Sequence, residues 1–156
     1  MEESNKGTTR RQMLGAIAGA SVAVAIRIEP SHATPASMKA AIRNVVGEAQ
    51  VKKGRVRIDV PALVDNGNTV PLTIEVESPM TAQDHVKAIH VFNELNPQPN
   101  VISAHLGPRS GIAKLSTRFR LADTQMIVAI AEMSDGSFWS ASADVVVTLA
   151  ACLEQL

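Results

Sequence analysis

Cys152 is the single cysteine of this 156-residue chain, and it stands four residues from the C-terminus, where no core can bury it. A thiolate is a nucleophile and a redox centre. In an exported protein, an odd cysteine points either to an intermolecular disulfide or to a free reactive sulfur, and a covalent carrier would use the second. The other chemically capable side chains have plainer readings. His85, His90 and His105, joined by Cys152 and a methionine, are of the types that suit copper. Five positions separate His85 from His90, which puts them on opposite sides of a strand, and Cys152 has no scaffold of its own. The histidines therefore read as surface or partner-facing, and Met80, Met126 and Met133 as packing. Lys114, Arg118 and Arg120 form a cationic strand face, either solvated or docking an acidic partner or a sulfonate. With no Ser/His/Asp arrangement, phosphate loop or paired-acid motif in view, the expectation is a chain that is not itself an enzyme and uses no cofactor or metal.

The N-terminus supplies the compartment. Thr9-Arg10-Arg11-Gln12-Met13-Leu14 places paired arginines directly before an uncharged run, residues 13–26, rich in Ala and Gly. That run is shorter than the roughly 20 apolar residues of a membrane span and matches the h-region of a twin-arginine export signal. Ser31-His32-Ala33 offers the small residues of a cleavage site. Residues 1–33 are therefore expected to be a signal, residues 34–149 the domain and residues 150–156 a C-terminal arm, in a periplasmic protein. The whole chain carries fifteen basic and fifteen acidic residues. Removing the signal takes four basic and three acidic ones, leaving a charge of about minus one and no basic footprint for nucleic acid. With three phenylalanines, one tryptophan and no tyrosine, aliphatic side chains and methionine must build most of the core.

The elements that position Cys152 follow from periodicity. Residues 34–50 read as a short helix, with Met38, Ala41, Ile42, Val45 and Val46 at helical spacing and Gly47 behind them. It would be a satellite or a partner-binding helix. From residue 55 the pattern alternates. Strands are expected at 55–60, 70–77, 86–93, 101–106, 113–121, 124–133 and 138–149, the sixth more uniformly apolar and hence central. Turns fall at Asp65-Asn66-Gly67-Asn68, where Asn and Gly tolerate positive φ, at Ser134-Asp135-Gly136-Ser137, and in the proline-broken loop Asn96-Pro97-Gln98-Pro99-Asn100. Seven short strands at near-regular spacing imply an all-β fold, an immunoglobulin-like antiparallel β-sandwich with a short N-terminal helix and a cysteine-bearing tail.

Six strings carry a family resemblance: Asn66-Gly67-Asn68-Thr69-Val70-Pro71, Ser78-Pro79-Met80-Thr81, Ile89-His90-Val91-Phe92, Asn96-Pro97-Gln98-Pro99, residues 116–122 and residues 131–139. In this order and spacing, behind a twin-arginine start, they closely resemble SoxY, the sulfur-carrier subunit of bacterial thiosulfate oxidation. The resemblance spans about residues 35 to 152. It implies a heterodimer with SoxZ and a cysteine, here Cys152, that holds sulfur intermediates covalently. It also implies a c-type cytochrome that loads the sulfur, a hydrolase that releases sulfate, and a sulfane dehydrogenase.

One departure stands out. The family's arm usually ends Gly-Gly-Cys-Gly-Gly, whereas this chain reads Ala150-Ala151-Cys152-Leu153-Glu154. Glycines make an arm thin and free. Ala stiffens it, Leu153 adds bulk beside the sulfur, and the Glu154 carboxylate disfavours the thiolate. Four readings stay open: a divergent working carrier, a carrier for another sulfur substrate, a SoxY-like protein of different duty, or an altered terminus. The alternative from another class is a non-carrier interaction module assisting a periplasmic dehydrogenase or metal centre.

Overall fold

The structure, a computed structural model, describes residues 34–151. Its first element, helix α1 (Pro35–Val46), begins where the sequence supplies a cap. Thr34 Oγ1 accepts the Ser37 amide at 3.2 Å, and Ser37 Oγ accepts the Thr34 amide at 2.6 Å. This reciprocal pair occupies two of the N–H groups that a helix start leaves without partners. Gly47, at φ +62°, ends the helix and donates its N–H to the Arg43 carbonyl, so the helix stops short of the expected Gln50.

Among the described residues, nine strands form two sheets. The small sheet has the order β2 (Val56–Asp59), β4 (Val70–Val76), β7 (Lys114–Phe119), all antiparallel. The large one runs β1 (Val51–Lys53), β9 (Phe138–Val147), β8 (Gln125–Met133), β5 (Val86–Asn93), β6 (Asn100–His105), with β3 (Leu63–Val64) beside the far end of β9. All seven expected strands are present. β1 and β3 are additional, and both run parallel to β9, Val51 opposite Phe138 and Leu63 opposite Val146. The wholly antiparallel expectation is corrected there. The chain first lies along β9, leaves for the small sheet through Gly54 (φ +109°) and Arg55 (φ +54°), and returns to β9 at Leu63. Two pieces of three and two residues are too short to show a period of two, and Lys52-Lys53 masks the first.

The core lies between the sheets. Val70, Leu72, Ile74 and Val76 of β4 point inward and are buried, as the alternation of β4 requires. From the large sheet come Ile89, Val91, Ile127, Ala129, Ala131 and Val145. The outer face of the large sheet is covered as well. Met38 of α1 packs there with Phe92, Ile130 and Phe138, flanked by Ala41, Ile42, Val45 and Val46. This second cover explains the apolar run Met126 to Ala131 in β8: one face lies in the core and the other is wholly or partly covered. Burying each large aliphatic or aromatic side chain contributes about 1.5–3 kcal/mol, so α1 is held by the face its spacing predicted. Trp139 is half-buried near the sheet edge, with Lys52 Nζ 5.4 Å and the Arg55 guanidinium 5.3 Å from its ring centroid.

Candidate functional site at the root of the C-terminal arm

β9 carries the chain toward Cys152, and its end is tied down residue by residue. The Thr148 amide donates to the Val64 carbonyl at 3.0 Å, and its hydroxyl donates to the Asp65 carbonyl at 3.2 Å. Asn66 Oδ1 accepts the Asn68 amide at 2.9 Å, the local bond for which asparagine is favoured in turns. This turn delivers Gly67 against the C-terminal segment. The Gly67 N–H donates to the Leu149 carbonyl at 2.8 Å, the Leu121 N–H to the Gly67 carbonyl at 2.9 Å, and the Ala151 N–H to the Leu121 carbonyl at 3.1 Å. Leu121 is wholly buried and Ala151 is 6% exposed.

Leu121 is itself fixed from both sides. Asn96 donates from Nδ2 to the Arg120 carbonyl at 2.8 Å, and its Oδ1 accepts the Ala122 amide at 3.0 Å and Gln125 Nε2 at 3.0 Å. Gln125 in turn accepts the Leu95 amide at 2.9 Å and donates to the Asp123 carbonyl at 3.1 Å. Three stretches far apart in sequence, around Gly67, Asn96 and Leu121, thus meet under the last described residue. Of the two alanines expected to begin a free arm, Ala150 is exposed, whereas Ala151 differs from that expectation, being buried and bonded. Cys152, Leu153 and Glu154 lie outside the described residues, and Cys152 follows Ala151 by one peptide bond.

Gly67 is expected in a turn because Asn and Gly tolerate positive φ. Gly47, Gly54, Gly111 and Gly136 take that conformation, but Gly67 does not. Its role is close approach. A Cβ at Gly67 would overlap the Leu121 carbonyl oxygen and come within 2.9 Å of the Ala151 nitrogen and 3.1 Å of Val147 Cγ1.

The other candidates are dispersed. His85 Nδ1 lies 3.1 Å from the Thr81 carbonyl. His90 is buried on the α1-covered face, with Nδ1 2.9 Å from Ser103 Oγ and Nε2 without a hydrogen-bond partner among the described residues. His105 meets it edge-on, ring centroids 6.3 Å apart, a proximity set by the β5–β6 register that residue spacing did not reveal. Burial pushes the His90 pKa down, opposed by Glu132 and aided by His105. Among the described residues, no group of three or more His, Cys, Asp or Glu is arranged to hold a metal ion. Met80 and Met133 are core residues, and Met126 is half-buried beside the α1 cluster. The cationic face is mixed in charge: Lys114 bonds Glu75 at 2.8 Å, and that bond holds the Glu75 carboxyl below its usual range. Arg118 and Arg120 are exposed beside it. No described helix is long and apolar enough to cross a membrane.

The family model "Sulfur oxidation protein SoxY" matches residues 42–152, a span that ends on the cysteine. Among solved structures, the sulfur carrier protein SoxY from Chlorobium limicola f. thiosulfatophilum is 26% identical with a TM-score of 0.62, covering 73% of this chain and 98% of that one. Two superoxide reductases share the fold alone. The neelaredoxin of Ignicoccus hospitalis is 15% identical, with a TM-score of 0.53, 74% of this chain and 94% of that one covered. The Nanoarchaeum equitans enzyme is 13% identical, with a TM-score of 0.52 and coverages of 62% and 100%. No curated protein matches. With the family match extending over most of its length, this chain belongs to the SoxY family of sulfur oxidation proteins.

Proposed function

We propose that this chain is a periplasmic sulfur carrier whose Cys152 holds thiosulfate-derived intermediates covalently. The observation that supports this most is a coincidence of boundaries: the family match runs to Cys152, and Ala151 is bonded to the domain. In the loading step the Cys152 thiol and thiosulfate form an S–S bond, giving the S-thiosulfonate, one proton and two electrons, which pass to a c-type cytochrome. Water then cleaves the terminal S–S bond of the adduct in a hydrolase, releasing sulfate and two protons and leaving a persulfide anion. A sulfane dehydrogenase oxidises the persulfide to the S-sulfonate with three waters, releasing six protons and passing six electrons to a c-type cytochrome, and a further hydrolysis releases sulfate and one proton and regenerates the thiol. The chain contributes tethering, which raises the effective concentration of each intermediate for the next enzyme.

The partner in this reading is a SoxZ-like subunit. Leu63 and Val146, paired across β3 and β9, and Leu149 beyond them are 60%, 48% and 70% exposed. Such a patch at the root of the arm is the apolar surface that a heterodimer would cover. Residues 1–33 serve as the export signal. The second reading, a SoxY-like interaction module without covalent chemistry, is favoured by one feature, the replacement of arm glycines by Ala150, Ala151, Leu153 and Glu154. The test is Cys152→Ser in an assay of thiosulfate-dependent cytochrome reduction with the other components present. Loss of reduction with folding and partner binding intact supports the carrier; reduction at the wild-type rate establishes the module.

A further inference from the structure

We infer that Gly67, Leu121 and Asn96 are positioning residues for Cys152: they clamp the chain through Ala151, one peptide bond before the residue that carries the sulfur. The inference deepens the carrier reading and rests on it for its purpose, although the clamp stands on geometry alone. Three backbone hydrogen bonds, Gly67 N–H to Leu149, Leu121 N–H to Gly67 and Ala151 N–H to Leu121, link the turn after β3, the segment after β7 and residues 149–151 in one ring. Gly67 is the element that permits it. Any side chain there would collide with the Leu121 carbonyl, which is the acceptor for Ala151, and with the Ala151 nitrogen, which is the donor. Asn96 fixes the acceptor by bonding the backbone on both sides of Leu121.

The consequence is a short reach. A chain free from Ala150 would carry the sulfur through three residues, about 10 Å, whereas one clamped through Ala151 carries it through one, about 3.5 Å. The alanines at 150 and 151 then have a reason. Where the arm is held against the domain, glycine's freedom is an entropic cost without a benefit. An enzyme acting on a sulfur held one residue from the clamp must receive the domain around Ala151 as well as the cysteine.

A nitroxide spin label on Cys152 of the full chain reads the clamp without any sulfur chemistry. The wild-type label should give a restricted line shape. Gly67→Ala should narrow it and lower the protection of the Ala151 amide against hydrogen exchange about 10-fold, the equivalent of one lost hydrogen bond. Ala151→Pro removes the donor and puts a ring carbon on the same nitrogen, so it breaks the bond to Leu121 without touching Gly67 and should give the same narrowing, which covers the case in which Gly67→Ala does not fold. An Asn96→Asp variant, which keeps the Oδ acceptor but loses the bond to the Arg120 carbonyl, should lie between. Identical line shapes in wild type and both clamp variants, with the domain folded, would overturn the inference. Narrowing in the variants from a protein that never carries an adduct on Cys152 would leave the clamp standing and remove the carrier reading.

Discussion

Asn93 and Asn96 are three positions apart, both buried, and have opposite fates. Asn96, 9% exposed, uses its whole amide: its nitrogen donates to Arg120, and its oxygen accepts from Ala122 and Gln125. Asn93, at the end of β5 and fully buried, has neither amide atom bonded within the described residues. A buried amide with partners organises the backbone around it, and one without them costs the desolvation of both groups. The first sits under the root of the arm. The second sits where β5 closes on β8 opposite Ile127.

The sharpest way to break this contrast is Asn96→Ala. It strips partners from the Arg120 carbonyl, the Ala122 amide and Gln125 Nε2 at once, and should lower unfolding stability in urea by about 2–4 kcal/mol. A loss below about 1 kcal/mol would mean that the network organises nothing. Asn93→Leu, close in shape and without polar atoms, should leave stability unchanged or raise it by about 1 kcal/mol. A marked loss would reveal that Asn93 has a partner after all.

His90 extends the comparison to charge. Its folded pKa lies below the unfolded value of about 6.5, chiefly through burial, so the unfolded chain binds more protons between the two values. This contribution is fully present above about pH 6.5 and is lost as pH falls through the folded pKa. Urea midpoints at pH 7.5 and 5.5 should differ more in the wild type than in His90→Gln, which does not titrate. Equal differences would assign the pH dependence to other groups. The smallest effect is expected on the outer face of the small sheet, where Lys114→Ala removes an exposed ion pair with Glu75 and should not move the midpoint measurably.

Much of this architecture is legible in the residues. The alternation of Val70, Leu72, Ile74 and Val76 fixed the face of β4, and the spacing of Met38, Ile42 and Val45 fixed the face of α1, because burial on one side leaves a period in the sequence. β1 and β3 left none, being short and laid beside β9 by the path of the chain. The root of the arm was half legible. Asn66-Gly67-Asn68 reads as a turn from its residue types, but what Gly67 makes room for depends on Leu121 and Ala151, which only the tertiary fold brings near. His90 and His105 meet for the same reason, through a strand register that no local pattern records.

The central claim concerns a covalent bond on one sulfur, and intact-mass measurement of the protein isolated from thiosulfate-grown cells tests it most directly. The account predicts a ladder of discrete adducts, the S-thiosulfonate and the persulfide among them, that map to Cys152, disappear on reduction and are absent from Cys152→Ser. A protein carrying only its unmodified mass, or adducts that persist in Cys152→Ser, would contradict it.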